Sequence, residues 1–445
     1  MKRSPWRYLW TAQDIRRKLL ITLLILVIYR MAAHVPVPGV DRTALDQILQ
    51  GGGAIGTLVG LLDLLSGGTV SNFSVMAMGV YPYITAQIII QLLVPIIPAL
   101  QKRMQEDPRE GRKWMEKWTL ILAIPMAALQ AIGQINIFNA SAPVPVIPNF
   151  GFSGGNLLPT MTIIISMTAG TMFGIWLGEL ISEYGVRNQG LSLIIFAGIV
   201  SRVPANLRSL LANQQYLFVT IIILIVVTVA TIFAIVVVQQ GRRNVPVMYP
   251  GRRVGNRMSM PVKGTLPLMV NMAGMIPLIF AQSLLTFPAI IASFFAGSSV
   301  TWVANTAAAI QRTFGGGGNA YYMFYFLMVV GFTFFYTNVL FAQQNYGENL
   351  KKVGARIPGV SPGAPTQKYL TRVLSRITFP GALFLGLVAV LPWILGIIFP
   401  FIQASGFLLI SSAGLLIVVG VVRDLFFNIE AELKVHGYDE QLLVR

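Results

Sequence analysis

Very few residues of this chain have side chains suited to catalysis or metal binding. The sequence contains no cysteine, and its two histidines, His34 and His436, lie at opposite ends. Disulfides, thiolate chemistry and a histidine dyad therefore lack the residues they need. No phosphate-binding loop, zinc-protease helix or serine-hydrolase elbow appears, and the glycines at 315–318 follow no strand. We therefore predict no catalytic site, no metal site and no cofactor.

The carboxylates are also too few for ion-coupled chemistry. Of the 16 aspartates and glutamates, only Asp63 sits in an apolar setting, within AIGTLVGLLDLLSGG at 54–68. A proton- or ion-coupled transporter keeps ionisable groups at mid-membrane. A secondary transporter is therefore the second interpretation, behind a passive channel. A membrane enzyme, which would need clustered acids, histidines or cysteines, is the third. We expect Asp63 to face water near the outer surface.

The polar side chains inside apolar runs are mostly amides. In VYPYITAQIIIQLL (80–93), Val80 and Ile84 lie four residues apart on one helix face, and Gln87 and Gln91 extend roughly that row. In the run 266–288, Asn271 and Gln282 are the polar residues. Spacing alone predicts that the aliphatic residues face lipid or pack, and that the amides bond between helices.

The elements that carry these residues are membrane helices. The chain is 55% hydrophobic and 11% charged, whereas soluble domains have about 25% charged residues. Apolar runs such as 217–238 exceed the ~18 residues that indicate a membrane helix. We predict a polytopic helical membrane protein with spans at 19–35, 75–95, 118–138, 157–180, 190–210, 214–238, 266–291, 320–342, 378–399 and 405–423. The piece at 54–65 reaches only ~18 Å of the ~30 Å hydrocarbon core.

The placement of positive charge supports this layout and orients it. Alternation of the ten spans puts all but five of the 33 lysines and arginines on one side. The exceptions are Arg30, Arg42, Arg202, Arg208 and Arg312. Because positive charge accumulates in cytoplasmic loops, both termini are predicted to be cytoplasmic. The predicted regions are a cytoplasmic N-terminus (1–18), an N-terminal half (19–210), a C-terminal half (214–423) and a cytoplasmic tail (424–445).

Ten helices divide into five plus five, and a duplicated half with an odd number of spans inserts upside down. Parity therefore allows an inverted repeat, although no strong sequence repeat links the halves.

Two cytoplasmic loops, 239–265 and 343–377, are longer than topology requires. Each carries six cations mixed with proline and glycine, and Glu348 is the only acid in either. Three interpretations stay open. The charge reflects topology alone, it forms a docking surface for an acidic partner such as ribosomal RNA or a motor protein, or it binds anionic lipid.

Several long runs resemble the SecY family, the central subunits of the bacterial protein-conducting channel. They are HVPVPGVD (34–41), LLSGG (64–68), GVYPYITAQIIIQLL (79–93), GTMFGIWLGE (170–179), IIFAGIV (194–200), LPLMVNMAGMIPLIFAQSL (266–284), FFYTNVLF (334–341) and NLKKVGARIPGVSPG (349–363). The similarity extends from about residue 14 to 430. It implies an all-α membrane protein whose ten helices form two inverted halves around an hourglass pore, with a short plug helix.

The resemblance also implies roles for individual residues. The plug is expected at 54–66, with Leu58, Leu61, Leu62, Asp63, Leu64 and Leu65. A lateral gate toward lipid is expected between 75–93 and 266–288, with Thr85, Gln87, Gln91, Asn271 and Gln282. The pore ring, an apolar collar that excludes ions by dewetting, is expected from Val80, Ile84, Leu191, Ile195, Ile279 and Ile417. The docking residues are expected to be Arg242, Arg243, Arg252, Arg253, Arg257, Lys351, Lys352 and Arg356.

The implied function is passage of unfolded polypeptides across the bacterial cytoplasmic membrane and release of hydrophobic segments into lipid. The implied partners are the SecE and SecG subunits, the SecA ATPase, the ribosome, signal sequences, nascent chains and membrane lipids. Two departures stand out. Ser361 occupies the position of a common loop arginine, with Arg356 five residues upstream, and Met269 replaces a frequent lysine at the base of the gate helix.

Overall fold

The computed structural model describes most of the chain. The described residues are 13–45, 69–70, 73–141, 145–152, 154–187, 189–212, 217–250, 253–254, 257–258, 262–295, 300–314, 318–398 and 412–435. Their α-helices are α1 (Gln13–Ala32), α2 (Tyr81–Ile96), α3 (Pro98–Glu106), α4 (Pro108–Ser141), α5 (Leu157–Tyr184), α6 (Gly190–Ala212), α7 (Leu217–Gln240), α8 (Ile276–Phe295), α9 (Thr301–Phe314), α10 (Asn319–Gln344), α11 (Tyr346–Lys352), α12 (Ala364–Ile398) and α13 (Ser412–Val435).

Each predicted span corresponds to one of these helices, namely α1, α2, α4, α5, α6, α7, α8, α10, α12 and α13. Within the described residues, six helices are by themselves long and apolar enough to cross a bilayer, and they are α4, α5, α7, α8, α10 and α12. Shorter apolar stretches lie in α2 and α6. The ten-helix architecture is that predicted.

Two predicted spans begin too early. Residues 75–80 form turns that are buried from Met76 onward, and 266–269 belong to a β-strand, so the helices begin at Tyr81 and Ile276. In both cases a left-handed glycine precedes the helix, Gly79 at φ +52° and Gly274 at φ +63°. A proline then occupies the first turn, where its missing N–H removes no helical hydrogen bond. A hydropathy window averages across these breaks and therefore misses them.

The two halves have the same internal packing. In the N-terminal half, α1 packs on α5 and α6, and α4 packs on α2 and α5, while α5 also packs on α6. In the C-terminal half, α7 packs on α12 and α13, and α10 packs on α8 and α12, while α12 also packs on α13. The two sets of contacts are the same when the spanning helices of the halves are matched in order. The matched pairs are α1 with α7, α2 with α8, α4 with α10, α5 with α12 and α6 with α13. With an odd number of spans in each half, the repeat is inverted.

The connections repeat as well. After α1, Pro36 forms an antiparallel bridge with Ser74, just before α2. After α7, β1 (Arg242–Tyr249) pairs antiparallel with β4 (Val262–Met269), just before α8. The short helix α3 follows α2 and packs on α2 and α4, and α9 follows α8 and packs on α8 and α10.

This register exposes short sequence repeats between the halves. GVYPYITAQ (79–87) matches GMIPLIFAQ (274–282), and VPV occurs at both 35–37 and 245–247. IFAGIV (195–200) matches IVVGVV (417–422). The repeats are too short to find by comparing the halves as wholes, but each one occupies equivalent positions in the two halves.

The hydrophobic core has two parts. One continuous cluster of buried side chains draws residues from both halves of the membrane domain. A second, smaller cluster lies in the two basic loops and joins Val245, Val247 and Leu268 of the β1–β4 hairpin to residues of α10, α12 and the segment 355–357. The main cluster fixes how the two halves meet, which positions the candidate site.

The left-handed glycine before α8 gives a test of the fold. We expect Gly274→Ala to lower the free energy of unfolding by about 1–2 kcal/mol, because an L-residue is strained at positive φ. A Cβ at this position would meet no atom within 4 Å, so the effect comes from the backbone alone. Thermal unfolding in detergent measures it. Gly331→Ala within α10, whose Cβ would also meet nothing, is the matched control and should be neutral or stabilising. Equal stability of the two variants would contradict the assigned backbone.

Candidate functional site

The two halves meet along two seams. On one side α8 packs against α2 and α4, and on the other α6 packs against α13. The link between α6 and α7, which joins the halves covalently, spans only residues 213–216. The halves are therefore joined in the chain through α6, a helix of the second seam, and not through α2 or α8.

The predicted collar residues lie on these seam helices. Val80 and Ile84 belong to the start of α2, Ile279 to α8, Leu191 and Ile195 to α6, and Ile417 to α13. Five of them are buried in the main core cluster, with exposed fractions of 1% for Val80, 7% for Ile84 and Ile279, 6% for Ile195 and 3% for Ile417.

Leu191 differs from the other five. It is only partly buried, and it packs against α5, where a Cβ on Gly178 would lie 2.8 Å from a Leu191 methyl group.

The sequence repeats pair four of these residues across the inverted symmetry. Ile84 and Ile279 hold the same position in the GVYPYITAQ and GMIPLIFAQ segments. Ile195 and Ile417 hold the same position in IFAGIV and IVVGVV. Each half therefore contributes equivalent isoleucines to the helices of both seams, and their side chains are aliphatic.

A small set of polar contacts closes the α2–α8 seam. The Tyr81 hydroxyl donates to the backbone carbonyl of Ser283 at 3.0 Å, which joins α2 directly to α8. Thr85 donates to the Tyr81 carbonyl at 3.0 Å and accepts from Gln130 Nε2 of α4 at 3.2 Å. Thr85 was predicted from the family pattern, whereas Tyr81, Gln130 and Ser283 were missed. The one available signal was that Gln130 and Gln134 lie four residues apart within an apolar run.

Other polar atoms near this seam have no partner. Gln130 Oε1, Gln134 Nε2 and Ser283 Oγ are buried without a hydrogen bond among the described residues. Both glutamines and Tyr81 line a cavity of about 10 Å³ between α2, α4 and α8. An unpaired buried polar group costs about 1–3 kcal/mol. Among the described residues, separating α8 from α2 would therefore break little side-chain hydrogen bonding.

The predicted gate amides divide into two groups. Gln282 lies on α8 and is 3% exposed, and Gln87 and Gln91 lie on α2 and are partly buried. Asn271 is a correction, because it does not lie on the gate helix. It precedes α8, is 2% exposed, and its Nδ2 donates to the Gly274 carbonyl at 3.1 Å. Its amide therefore stabilises the left-handed turn rather than bonding between helices.

The predicted plug, 54–66, lies outside the described residues. Its six residues, Leu58, Leu61, Leu62, Asp63, Leu64 and Leu65, therefore remain predictions from the family resemblance.

The described parts of the two basic loops, 239–265 and 343–377, pack together as one loop unit. The loop 239–265 is a hairpin in which β1 pairs with β4, and the short strands β2 (Arg253–Val254) and β3 (Arg257–Met258) pair nearer its tip. The loop 343–377 is largely helical, with α11 and the first turns of α12. Met248 and Arg356 exchange backbone hydrogen bonds of 2.7 and 2.8 Å, which attach the second loop to the hairpin.

The basic side chains lie on the surface of this unit. The exposed ones are Arg242, Arg243, Lys263, Lys351, Lys352, Arg356, Lys368, Arg372 and Arg376. Arg356 alternates with the buried Ala355 and Ile357, so the core of the unit directs its side chain outward. Ser361 is also exposed. Arg252 lies outside the described residues, and Arg253 and Arg257 are placed by their backbone in β2 and β3.

Comparison with known proteins agrees with this architecture. The SecY family model matches residues 74–426. The protein translocase subunit SecY of Halalkalibacterium halodurans is 38% identical over 437 residues, which cover 96% of each chain.

Two solved structures have a similar fold. One, described as the structure of a protein conducting channel, has a TM-score of 0.63 at 19% identity and covers 96% of this chain and 95% of the other. Sec61 in the canine ribosome-channel complex from the endoplasmic reticulum has a TM-score of 0.58 at 18% identity, with the same coverage.

Close packing of α4 on α8 beside the seam is testable. A Cβ on Gly133 would lie 2.3 Å from Ile290 Cγ2, so Gly133→Ala should force the helices apart and lower the unfolding free energy by about 1–3 kcal/mol. Thermal unfolding in detergent measures this change. Adding Ile290→Ala should remove the clash, so that the double variant loses less than the sum of the two single variants. Additive losses would show that the two residues are not in contact.

Proposed function

This chain belongs to the SecY family, and we propose that its collar residues form the constriction of a protein-conducting pore. The chain is a channel subunit of a Sec translocon and not an enzyme. Unfolded polypeptides pass through it across the membrane, and hydrophobic segments leave it sideways into lipid. The observation that carries the proposal for the pore is the pairing of Ile84 with Ile279 and of Ile195 with Ile417 at the two seams between inverted halves.

An aliphatic constriction suits a channel that must admit any sequence. Water and ions in a narrow apolar collar lose hydrogen-bond partners, so the resting collar excludes them by dewetting. The same side chains bind no substrate residue strongly, so a chain of any composition can slide through. Chain elongation, SecA or the membrane potential supplies the energy.

The α2–α8 seam is the proposed lateral gate. Its direct bond, from Tyr81 to the Ser283 carbonyl, is a single neutral hydrogen bond, worth about 0.5–1.5 kcal/mol net. A hydrophobic signal segment between these helices makes apolar contacts with the protein. When the segment moves out into the bilayer, apolar contacts with lipid replace them. Thr85, Gln87, Gln91 and Gln282 are the proposed polar residues of this gate. Residues 54–66 are proposed to plug the resting pore.

We propose that the unit formed by the two basic loops lies on the cytoplasmic side and docks partners that drive translocation. Its exposed cations fit ribosomal RNA and an acidic motor surface, and a translocon of this kind engages the ribosome. SecA as the motor, and SecE and SecG as further subunits, belong to the proposal. The protein is a multi-pass membrane protein of the family found in the bacterial cytoplasmic membrane. We place both termini and both basic loops on the cytoplasmic side from the charge distribution.

If the collar seals the resting channel, substitutions in it should change the ion conductance of that channel. Ile84→Ser and Ile279→Ser should each raise single-channel conductance in planar bilayers, because a hydroxyl and a smaller side chain let water enter the constriction. Ile165→Ser is the matched control, since Ile165 is 65% exposed on the outer surface of α5, and it should leave the resting channel silent. Wild-type conductance in both collar variants would mean that these isoleucines do not line the pore.

The docking surface predicts how charge reversal acts on binding. A variant with Arg252→Glu, Arg253→Glu and Arg356→Glu should bind ribosomes or SecA more weakly, and the loss should grow as salt is reduced, because unlike charges attract most strongly at low ionic strength. Sedimentation with proteoliposomes measures the affinity. Arg312→Glu, which lies on the predicted outer side, should change nothing. Unchanged affinity of the triple variant at low salt would rule out these arginines as docking residues.

A further inference from the structure

The proposed collar uses the two gate helices unequally. The start of α2 provides Val80 and Ile84, whereas α8 provides Ile279 alone. The register of GVYPYITAQ on GMIPLIFAQ places Met275 in the position of Val80. Ile84 and Ile279 are equivalent in the inverted repeat, and both belong to the proposed collar. Met275, the equivalent of Val80, is therefore a candidate for the collar as well.

The backbones at Val80 and Met275 are alike. Each residue follows a left-handed glycine, Gly79 or Gly274, and immediately precedes its helix. Each carbonyl accepts a hydrogen bond of 3.2 Å within the first turn of its helix, at Val80 from Ile84 N four residues later and at Met275 from Leu278 N three residues later. Val80 and Met275 therefore hold equivalent positions at the start of their helices in the structure as well as in the sequence.

The side chain of Met275 lies between the start of α8 and α13. It is 8% exposed, close to the 7% of Ile84 and Ile279, and it belongs to the same core cluster. A Cβ added to Gly420 would lie 3.5 Å from Met275 Sδ. Gly420 is three residues beyond Ile417, one helical turn along α13, and it corresponds to Gly198 on α6. Met275 is therefore next to the helix that carries Ile417.

We propose that Met275 is a further collar residue, the counterpart of Val80 on the opposite side of the constriction. This inference rests on the proposed function of the channel. Because α2 and α8 run in opposite directions, Val80 precedes Ile84 on the outer side, and Met275 precedes Ile279 on the cytoplasmic side. An entering chain meets Met275 before it meets the isoleucines.

A methionine suits this entry position. Its unbranched thioether side chain has several rotatable bonds and fills irregular gaps, so it can adapt to side chains of different size and close again behind them. Gly420 presents only its backbone to this side chain, and a Cβ added there would be in van der Waals contact with the methionine sulfur at 3.5 Å.

Disulfide cross-linking to a stalled translocating chain tests the proposal, and the absence of native cysteine gives a clean background. Single variants Met275→Cys, Ile279→Cys and Met126→Cys would be oxidised in membranes against stalled chains that each carry one cysteine. Met126, buried in α4 with 9% exposure, is the matched control. We expect Met275→Cys to cross-link severalfold more than Met126→Cys, and to substrate positions closer to the cytoplasm than those captured by Ile279→Cys.

The possible results distinguish a failure of the Met275 proposal from a failure of the proposed channel function. Cross-linking of Ile279→Cys with only control-level yield for Met275→Cys would overturn the inference and leave the channel proposal standing. Control-level yields for both would overturn the collar itself. Resting conductance adds a second readout in folded protein. Met275→Ala should leak ions severalfold above wild type while Met275→Leu stays sealed, and a silent Met275→Ala variant would contradict the assignment.

Discussion

Apolar packing along the seam between α2 and α8 is the interaction on which the rest of the structure depends. Within hydrocarbon each helix must satisfy its own backbone groups, so helices are held together by side-chain packing and a few interhelical bonds. Here the closed seam combines buried isoleucines, the bond from Tyr81 to Ser283 and several unpaired polar atoms. Under the proposed function, such a seam holds the two halves together through apolar packing and few polar bonds, so it can separate without unfolding either half.

The inverted repeat explains why the seam lies where it does. Two halves with the same packing meet through equivalent helices, α2 with α8 and α6 with α13. The sequence repeats are concentrated in these helices and in the VPV segments that precede α2 and α8. Positions that need a left-handed glycine, a first-turn proline or a seam isoleucine tolerate few alternatives. Lipid-facing positions accept many apolar residues, so the common pattern is lost there.

Much of this arrangement could be predicted from the sequence because hydropathy and positive charge follow the membrane directly. The ten-helix fold was confirmed, and a helix corresponds to each predicted span in the predicted order. The starts of α2 and α8 were wrong, because a hydropathy average does not detect a glycine that adopts positive φ. The β1–β4 hairpin was missed because its basic and turn-forming residues suggested only a long loop. Asn271 was wrongly placed on the gate helix because the hydropathy average started that helix before Ile276.

The candidate site could be predicted only in part. The family resemblance named the isoleucines, but the bond from Tyr81 to Ser283 joins residues 202 positions apart, and no local pattern marks it. The matching segments of nine residues became recognisable only once the fold supplied their register. Met275 follows from that register and from its contact with α13, and neither is visible in a single apolar run.

The most direct test of the whole account is a distance measurement across each seam. Pairs of spin labels, one on α2 and α8 at Gln87 and Leu284 and one on α6 and α13 at Val200 and Phe427, would be compared by pulsed electron resonance before and after a stalled signal-bearing chain engages the channel. The account predicts that the α2–α8 distance increases while the α6–α13 distance stays constant. An unchanged α2–α8 distance, or an equal change at both seams, would contradict it.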